Sequence, residues 1–157
     1  RMQKYIILCL YLSLTPSCLY AAGHEISVSA GGFDVNRSAK ALGQVDVTFA
    51  PSWNGFMPRI GVFYTEQSAV YLYAGIAYPI VINKQWSLMP SLSFGRYHEA
   101  AERDLGYDME FYSQLRLDYR LNSASKIGMG YGHISNGNFG DNNPGAETAY
   151  LSFSATW

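Results

Sequence analysis

A histidine, a serine and a glutamate near the C-terminal end of this sequence could together form a hydrolytic site. His133 and Ser135 are two positions apart, and Glu147 follows 14 residues after the histidine. In such a set the histidine takes the proton of the serine hydroxyl, and the carboxylate orients and stabilises the imidazolium. The chemistry that this set performs is nucleophilic attack on a carbonyl carbon, as in ester hydrolysis.

Strand geometry predicts that these three side chains meet. On an extended strand His133 and Ser135 share one face, with Cα atoms about 6.6 Å apart, a gap that side chains can close to hydrogen-bond distance. Glu147 begins the next extended segment. If the hairpin pairs Ser135 near Glu147, the glutamate becomes a diagonal neighbour of His133 on the same face.

The face that carries the three residues is otherwise apolar, and this weighs against an ordinary explanation for each. Singly, His133 suits a strand end, Ser135 an ordinary turn and Glu147 a solvated loop. Ionisable groups are costly on a lipid-facing surface, so three triad-type residues on one such face indicate a function. The apolar rows that they continue are Ile127, Met129 and Tyr131, and Ala149, Leu151 and Phe153.

The elements that position these residues are strands, because apolar and polar residues alternate with a period of two from about residue 24 onward. Most of the alternating segments have the length that a tilted strand needs to cross a bilayer. The pattern predicts an all-β fold, an eight-stranded antiparallel transmembrane β-barrel over 23–157. Its predicted strands are roughly 24–33, 42–50, 56–65, 69–78, 86–97, 107–120, 125–135 and 147–157.

A secreted soluble β-domain would also give alternating strands, but the two faces favour the membrane barrel. In a small membrane barrel the apolar face meets lipid and polar side chains fill the lumen. The polar residues predicted to pair inside are Arg59, Glu110, Arg116, Asp118 and Arg120. Aromatic residues at strand ends are predicted to form interfacial girdles, namely Trp53, Tyr64, Tyr78, Trp86, Tyr97, Tyr119 and the terminal Trp157.

With both ends of the barrel in the periplasm, alternate connections face the two sides of the outer membrane. The connections near 34–41, 98–106 and 136–146 are predicted to face the exterior, and those near 51–55, 79–85 and 121–124 the periplasm. The site would then lie at the outer leaflet.

The first 22 residues have the layout of a secretory signal peptide, and Arg1 before Met2 is interpreted as non-native. A short positive start precedes an apolar run that is too short to span a bilayer, with small residues at Ala21 and Ala22. The only cysteines, Cys9 and Cys18, lie in this segment. The mature chain therefore has neither a disulfide framework nor a thiolate metal site.

Composition excludes several other functions. The formal net charge of -1 and the absence of a basic run argue against nucleic acid, and no glycine loop suits a phosphate. His24 lies beside the predicted cleavage site and His98 lies in a polar loop. Neither has a serine in register, so both are interpreted as structural.

The motifs around the candidate site resemble those of the lipid A 3-O-deacylase (PagL-type) family. They are His-x-Ser-Asn at 133–136 and Asn-Pro-Gly-x-Glu at 143–147. The resemblance implies a Ser–His–Glu esterase in the bacterial outer membrane that releases the 3-O-linked acyl chain of lipid A without a metal or other cofactor. It implies His133 as general base, Ser135 as nucleophile and Glu147 as the orienting acid, with Asn136 a candidate oxyanion-hole donor.

Two other classes of function remain open at this stage. One is a non-enzymatic structural barrel, and the other a phospholipase or acyltransferase barrel, which product analysis would separate. A porin is disfavoured because eight strands leave only room for side chains. The expected partners are lipopolysaccharide as substrate and outer-membrane lipids, and homodimer formation is left open.

Overall fold

The computed structural model describes residues 23–157, so the predicted signal peptide lies outside the described residues. A short 3₁₀ turn, Trp53–Gly55, accompanies the strands, and no helix in the described part is long and apolar enough to cross a membrane. The strands are β1 Glu25–Phe33, β2 Lys40–Thr48, β3 Met57–Thr65, β4 Val70–Ala77, β5 Ile80–Val81, β6 Trp86–His98, β7 Met109–Arg120, β8 Ser125–Ser135 and β9 Ala146–Thr156.

All neighbouring strands pair antiparallel, and the sheet closes through the pairing of β1 with β9 and of β4 with β6. β5 continues β4 without a change of register, since Ala77 pairs with Ser91 and Ile80 with Leu88. The interruption falls at Tyr78 and Pro79, because proline has no N–H for the ladder. The barrel therefore has eight strands, as predicted, and the predicted bounds agree closely with the observed ones.

The lumen is packed with side chains and divides into two halves. In the half of the lumen nearer the start of β1 and the end of β9, charged residues form ion pairs. Arg116 pairs with Glu25 and Asp118, and Arg59 pairs with Asp46. The other half is a buried, mainly aromatic cluster that includes Phe33, Phe63, Tyr71, Tyr97, Tyr112 and Ile134. The rigid filling supports the outer wall from inside.

Among the polar residues predicted to pair in the lumen, Glu110 differs from the rest in its hydrogen bonding and Arg120 in its burial. Glu110 is fully buried, and its carboxylate oxygens have no hydrogen-bond partner among the described residues. Arg120 lies only half-buried at the end of β7. Arg59, Arg116 and Asp118 pair as predicted.

The outer wall is apolar, as the alternation requires for a surface that meets lipid. Its exposed side chains include Val28, Val45, Ile60, Leu72, Leu92, Leu115, Met129 and Leu151. Most of the predicted girdle residues also face outward, among them Trp53, Tyr64, Trp86, Tyr119 and Trp157.

The girdle prediction is wrong for Tyr97. This side chain is only 2% exposed and belongs to the aromatic cluster inside the barrel. Its hydroxyl donates to the Arg103 carbonyl oxygen at 3.1 Å. The reason is the alternation of β6, which turns Tyr97 to the same side as Ser91 and Ser93.

Candidate active site on the outer wall

The His133 and Glu147 side chains meet on the outer wall, near the ends of β8 and β9 that border the connection 136–145. Nδ1 of His133 lies 3.3 Å from Oε1 of Glu147. The imidazole is 48% exposed and the glutamate 24%. Within residues 23–157, Nε2 of the same ring forms no hydrogen bond, so it is available to a second partner.

The register of the hairpin differs from the predicted one. Glu147 pairs directly with His133, and the β8–β9 ladder ends at Ile134 and Ala146, so Ser135 is not the residue nearest Glu147 along the ladder. Registers that differ by two residues keep every side chain on the same face, and the alternation in the sequence therefore could not distinguish them.

Ser135 lies two residues after His133 on the same outward face of β8 and is half-buried. On its other side it pairs with Phe111 of β7. Within the described chain, no hydrogen bond joins its hydroxyl to His133. Catalytic hydrogen bonds are often long in a ligand-free structure and tighten when substrate binds, so this spacing is compatible with a nucleophile and its base.

Gly145 makes room for the imidazole. Its backbone is in the left-handed region at φ 58°, and a Cβ there would lie 2.8 Å from Cε1 of His133 and 3.3 Å from Nε2. Any side chain at this position would therefore press on the part of the ring that is not paired with Glu147. The glycine of the Asn-Pro-Gly-x-Glu motif thus has a steric role at the site as well as a turn role.

Asn136 lies on the opposite, inner face and is fully buried. Its Nδ2 group donates to the carbonyl oxygens of Leu105, at 2.9 Å, and Asn142, at 2.7 Å, while its backbone N–H donates to Oδ1 of Asn143 at 3.0 Å. These bonds tie the connection 136–145 to the connection between β6 and β7. In this conformation the donors of Asn136 are occupied, and its role as an oxyanion donor stays a prediction.

Ser113 is a further polar residue at the site that the sequence analysis passed over. It pairs with His133 across β7 and β8, and its exposed hydroxyl lies 3.4 Å from the His133 carbonyl oxygen. The sequence could have indicated Ser113, because it is the polar residue between Phe111 and Leu115 in an otherwise apolar alternating row.

A groove of about 630 Å³ runs along the outer wall and reaches the strand positions next to the site. Residues of β7, β8, β9 and β1 line it, including Leu115, Leu117, Met129, Tyr131, Ala149 and Leu151. It is almost wholly apolar, and small residues of β9 and β1 lie on one side of it.

The charges around the site come mainly from the connection between β1 and β2. Burial raises the pKa of Asp34, Arg37 lowers it, and the negative charge of Glu147 raises it again. Asp34 also forms an ion pair with Arg103 at 3.2 Å. Among the described residues, no cluster of three His, Cys, Asp or Glu side chains could hold a metal ion.

The fold is that of a membrane β-barrel, and its outer wall carries a histidine–glutamate pair with a serine two residues away on the same face. The sequence model of the family "Lipid A 3-O-deacylase (PagL)" matches residues 37–156. The chain belongs to this family. A comparison with curated proteins gives no match.

Solved structures with the same fold include a PagL and a designed protein. The crystal structure of the outer membrane enzyme PagL matches with a TM-score of 0.64 at 12% identity, covering 83% of this chain and 97% of that one. A de novo designed transmembrane β-barrel matches with a TM-score of 0.65 at 11% identity, covering 87% and 96%. At these identities the likeness concerns the fold, which is that of an outer-membrane barrel.

Proposed function

We propose that this protein is a serine esterase that hydrolyses the 3-O-linked acyl ester of lipid A at the outer leaflet of the outer membrane. One observation carries the proposal: the His133–Glu147 pair on the wall that meets lipid, with Ser135 one pleat away on the same face. Membership of the deacylase family supports the substrate. A wall that faces lipid gives an acyl ester direct access to these side chains.

In the proposed mechanism, His133 acts through its two nitrogens. Nδ1 is held by Glu147, which leaves Nε2 to take the proton of Ser135 as its oxygen attacks the ester carbonyl carbon. The tetrahedral intermediate collapses, and the sugar oxygen leaves with the proton from His133. Water, deprotonated by His133, then hydrolyses the acyl-enzyme, releases the fatty acid and restores Ser135.

Charge develops on the ester oxygen in this reaction and requires hydrogen-bond donors. Asn136 is the candidate from the motif. Because its N–H groups are engaged by Leu105, Asn142 and Asn143, this role requires the connection 136–145 to rearrange when substrate binds.

The apolar groove is the proposed seat of the acyl chain that is cleaved. A chain that moves from the bilayer into the groove gains little from the hydrophobic effect, since lipid is as apolar as the protein wall. The groove therefore contributes mainly by aligning the ester with Ser135. Alignment of reacting groups is itself a large part of a catalysed rate.

The experiment that tests the proposal is mass spectrometry of lipid A from a Gram-negative host that expresses the chain, beside a Ser135→Ala control. Loss of one hydroxyacyl chain with the wild type only is the expected result. Unchanged lipid A with the protein confirmed in the outer membrane would reject lipid A as the substrate. Appearance of the chain on another lipid, instead of as free fatty acid, would indicate an acyltransferase.

A further inference from the structure

The start of the β1–β2 connection is fixed against the strands that carry the candidate site. The backbone N–H of Val35 donates to the carbonyl oxygen of Glu147 at 3.2 Å. The next residue, Asn36, donates from Nδ2 to the hydroxyl of Tyr131 at 3.3 Å. Two successive residues of one connection thus contact both strands of the site, β9 through Glu147 and β8 through Tyr131.

The Asn36–Tyr131 bridge crosses the wall beside Glu147. Tyr131 precedes His133 by one pleat and pairs with Ala149, which in turn pairs with Gly32 of β1. Neighbouring strands are about 4.8 Å apart, so the bridge must pass over β9 to reach a residue beyond the end of β1. Ala149 has a small side chain, and the space at Gly32 is taken by Val35, since a Cβ on Gly32 would lie 2.8 Å from Cγ1 of Val35.

The exposure of the ion pair agrees with this path. His133 and Glu147 face outward at the same level of adjacent strands, but the glutamate is 24% exposed and the histidine 48%. The glutamate is a diagonal neighbour of Tyr131, within reach of an aromatic side chain. An unrestrained carboxylate on a lipid-facing wall would extend toward water, away from the imidazole.

We propose that Tyr131 and Asn36 are positioning residues for Glu147, a role that rests on the proposed function. Their bridge closes the flank of Glu147 that faces away from His133 and keeps the carboxylate turned to the imidazole. Neither residue touches the reacting atoms. The bridge acts on the rate of the chemical step through Glu147, and not on the binding of the acyl chain.

The alternative role for Tyr131 is to form part of the wall of the apolar groove, which it also lines. The two roles predict different kinetics. Loss of a positioning contact lowers kcat and leaves KM nearly unchanged, whereas loss of a wall raises KM or changes the acyl lengths that are accepted.

The test is steady-state deacylation of purified lipid A by the full chain in detergent micelles, with Tyr131→Phe, Asn36→Ala and the double variant. Each single change removes one partner of the same hydrogen bond. We expect kcat to fall about three- to tenfold, the scale of one lost hydrogen bond, with KM changed by less than about twofold. The double variant should be no slower than the slower single variant, because both changes remove one interaction.

Tyr64→Phe is the matched control. Tyr64 is also an outer-wall tyrosine whose hydroxyl bonds to a neighbouring connection, at 3.0 Å from the Ser68 hydroxyl, but it lies on β3, away from the site. This variant should keep the wild-type kcat. Heat-dependent mobility in gels checks that every variant forms the barrel.

The outcomes separate this proposal from the proposed function. Unchanged kcat, additive single effects, or an effect confined to KM or acyl length would overturn the positioning role while the wild type remains a deacylase. A wild type without deacylase activity would reject the proposed function, and the positioning role with it.

Discussion

The barrel holds its charged residues in two contrasting settings. In the lumen, Arg116 and Lys126 each contact both Glu25 and Asp118 at 2.7 to 2.9 Å, and all four side chains are at most 7% exposed. On the outer wall, the His133 side chain has Glu147 as its single polar partner among residues 23–157, at 3.3 Å, and is half exposed. The comparison contrasts a buried network suited to stabilising the barrel with an exposed pair suited to the proposed chemistry.

The difference lies in how many partners each group has. In the lumen Arg116 and Lys126 each bridge two carboxylates, and this network is closed off from substrate. On the wall, His133 keeps one ring nitrogen free of any partner in the described chain, next to a serine and open to lipid. A free nitrogen on a fixed ring is what a general base requires. Removing lumen groups should therefore change stability, and removing wall groups should change activity.

The largest expected effect is that of His133→Ala on deacylation. Without the base, Ser135 is not activated, and kcat should fall by about 10⁴-fold or more, as for the removal of a histidine from other serine hydrolases. The free energy of unfolding of the barrel in urea should stay within about 0.5 kcal/mol of wild type, as for surface changes in general. A lipid A assay and unfolding in detergent measure the two quantities. Full retention of activity would remove His133 from the mechanism.

Arg116→Met tests the other side of the comparison. It leaves Glu25 and Asp118 buried with Lys126 as their remaining cation, and breaking a buried ion pair in this way costs about 3–5 kcal/mol. Tryptophan fluorescence during urea unfolding measures the loss. The folded fraction should keep its kcat. If the stability were unchanged, the lumen network would not be what holds this end of the barrel.

The fold could be predicted from the sequence because alternation reports directly which face each residue takes. The same rule, applied consistently, would have placed Tyr97 inside, since it shares the inward row of Ser91 and Ser93. Its position at a strand end was the misleading feature. The short β5, Ile80–Val81, was not predicted, because it follows a proline and falls in the connection expected near 79–85.

The site could be predicted only in part. The faces of His133, Ser135 and Glu147 follow from alternation, but the register that sets Glu147 opposite His133 depends on the conformation of the connection 136–145. The contact of Asn36 with Tyr131 joins residues that are 95 positions apart and depends on how another connection folds. No local pattern reports such a contact.

Glu147→Gln sharpens the contrast between the two settings. The amide keeps nearly the shape of the carboxylate but does not stabilise a positive imidazolium, so kcat should fall by about 10²-fold, at the low end of general-base contributions. Because Glu147 is partly exposed, the stability should change far less than with Arg116→Met. Full activity in detergent across about pH 6–8 would contradict the role of Glu147 in the triad.

Gly145→Ala gives a smaller loss of kcat than the changes at His133 and Glu147, and it tests whether the free nitrogen must also be unobstructed. The added methyl group would lie 2.8 Å from Cε1 of His133 and 3.2 Å from the Ile134 carbonyl oxygen, and it should displace the ring, lowering kcat about tenfold by misalignment. Gly137→Ala is the matched control, since Gly137 lies in the same connection with φ 62° but its added Cβ would meet the Phe111 ring at 3.2 Å. Both changes carry a similar left-handed backbone cost, of about 1–2 kcal/mol. Equal losses of kcat in the two variants would assign the effect to the backbone, whereas a loss confined to Gly145→Ala would assign it to the imidazole.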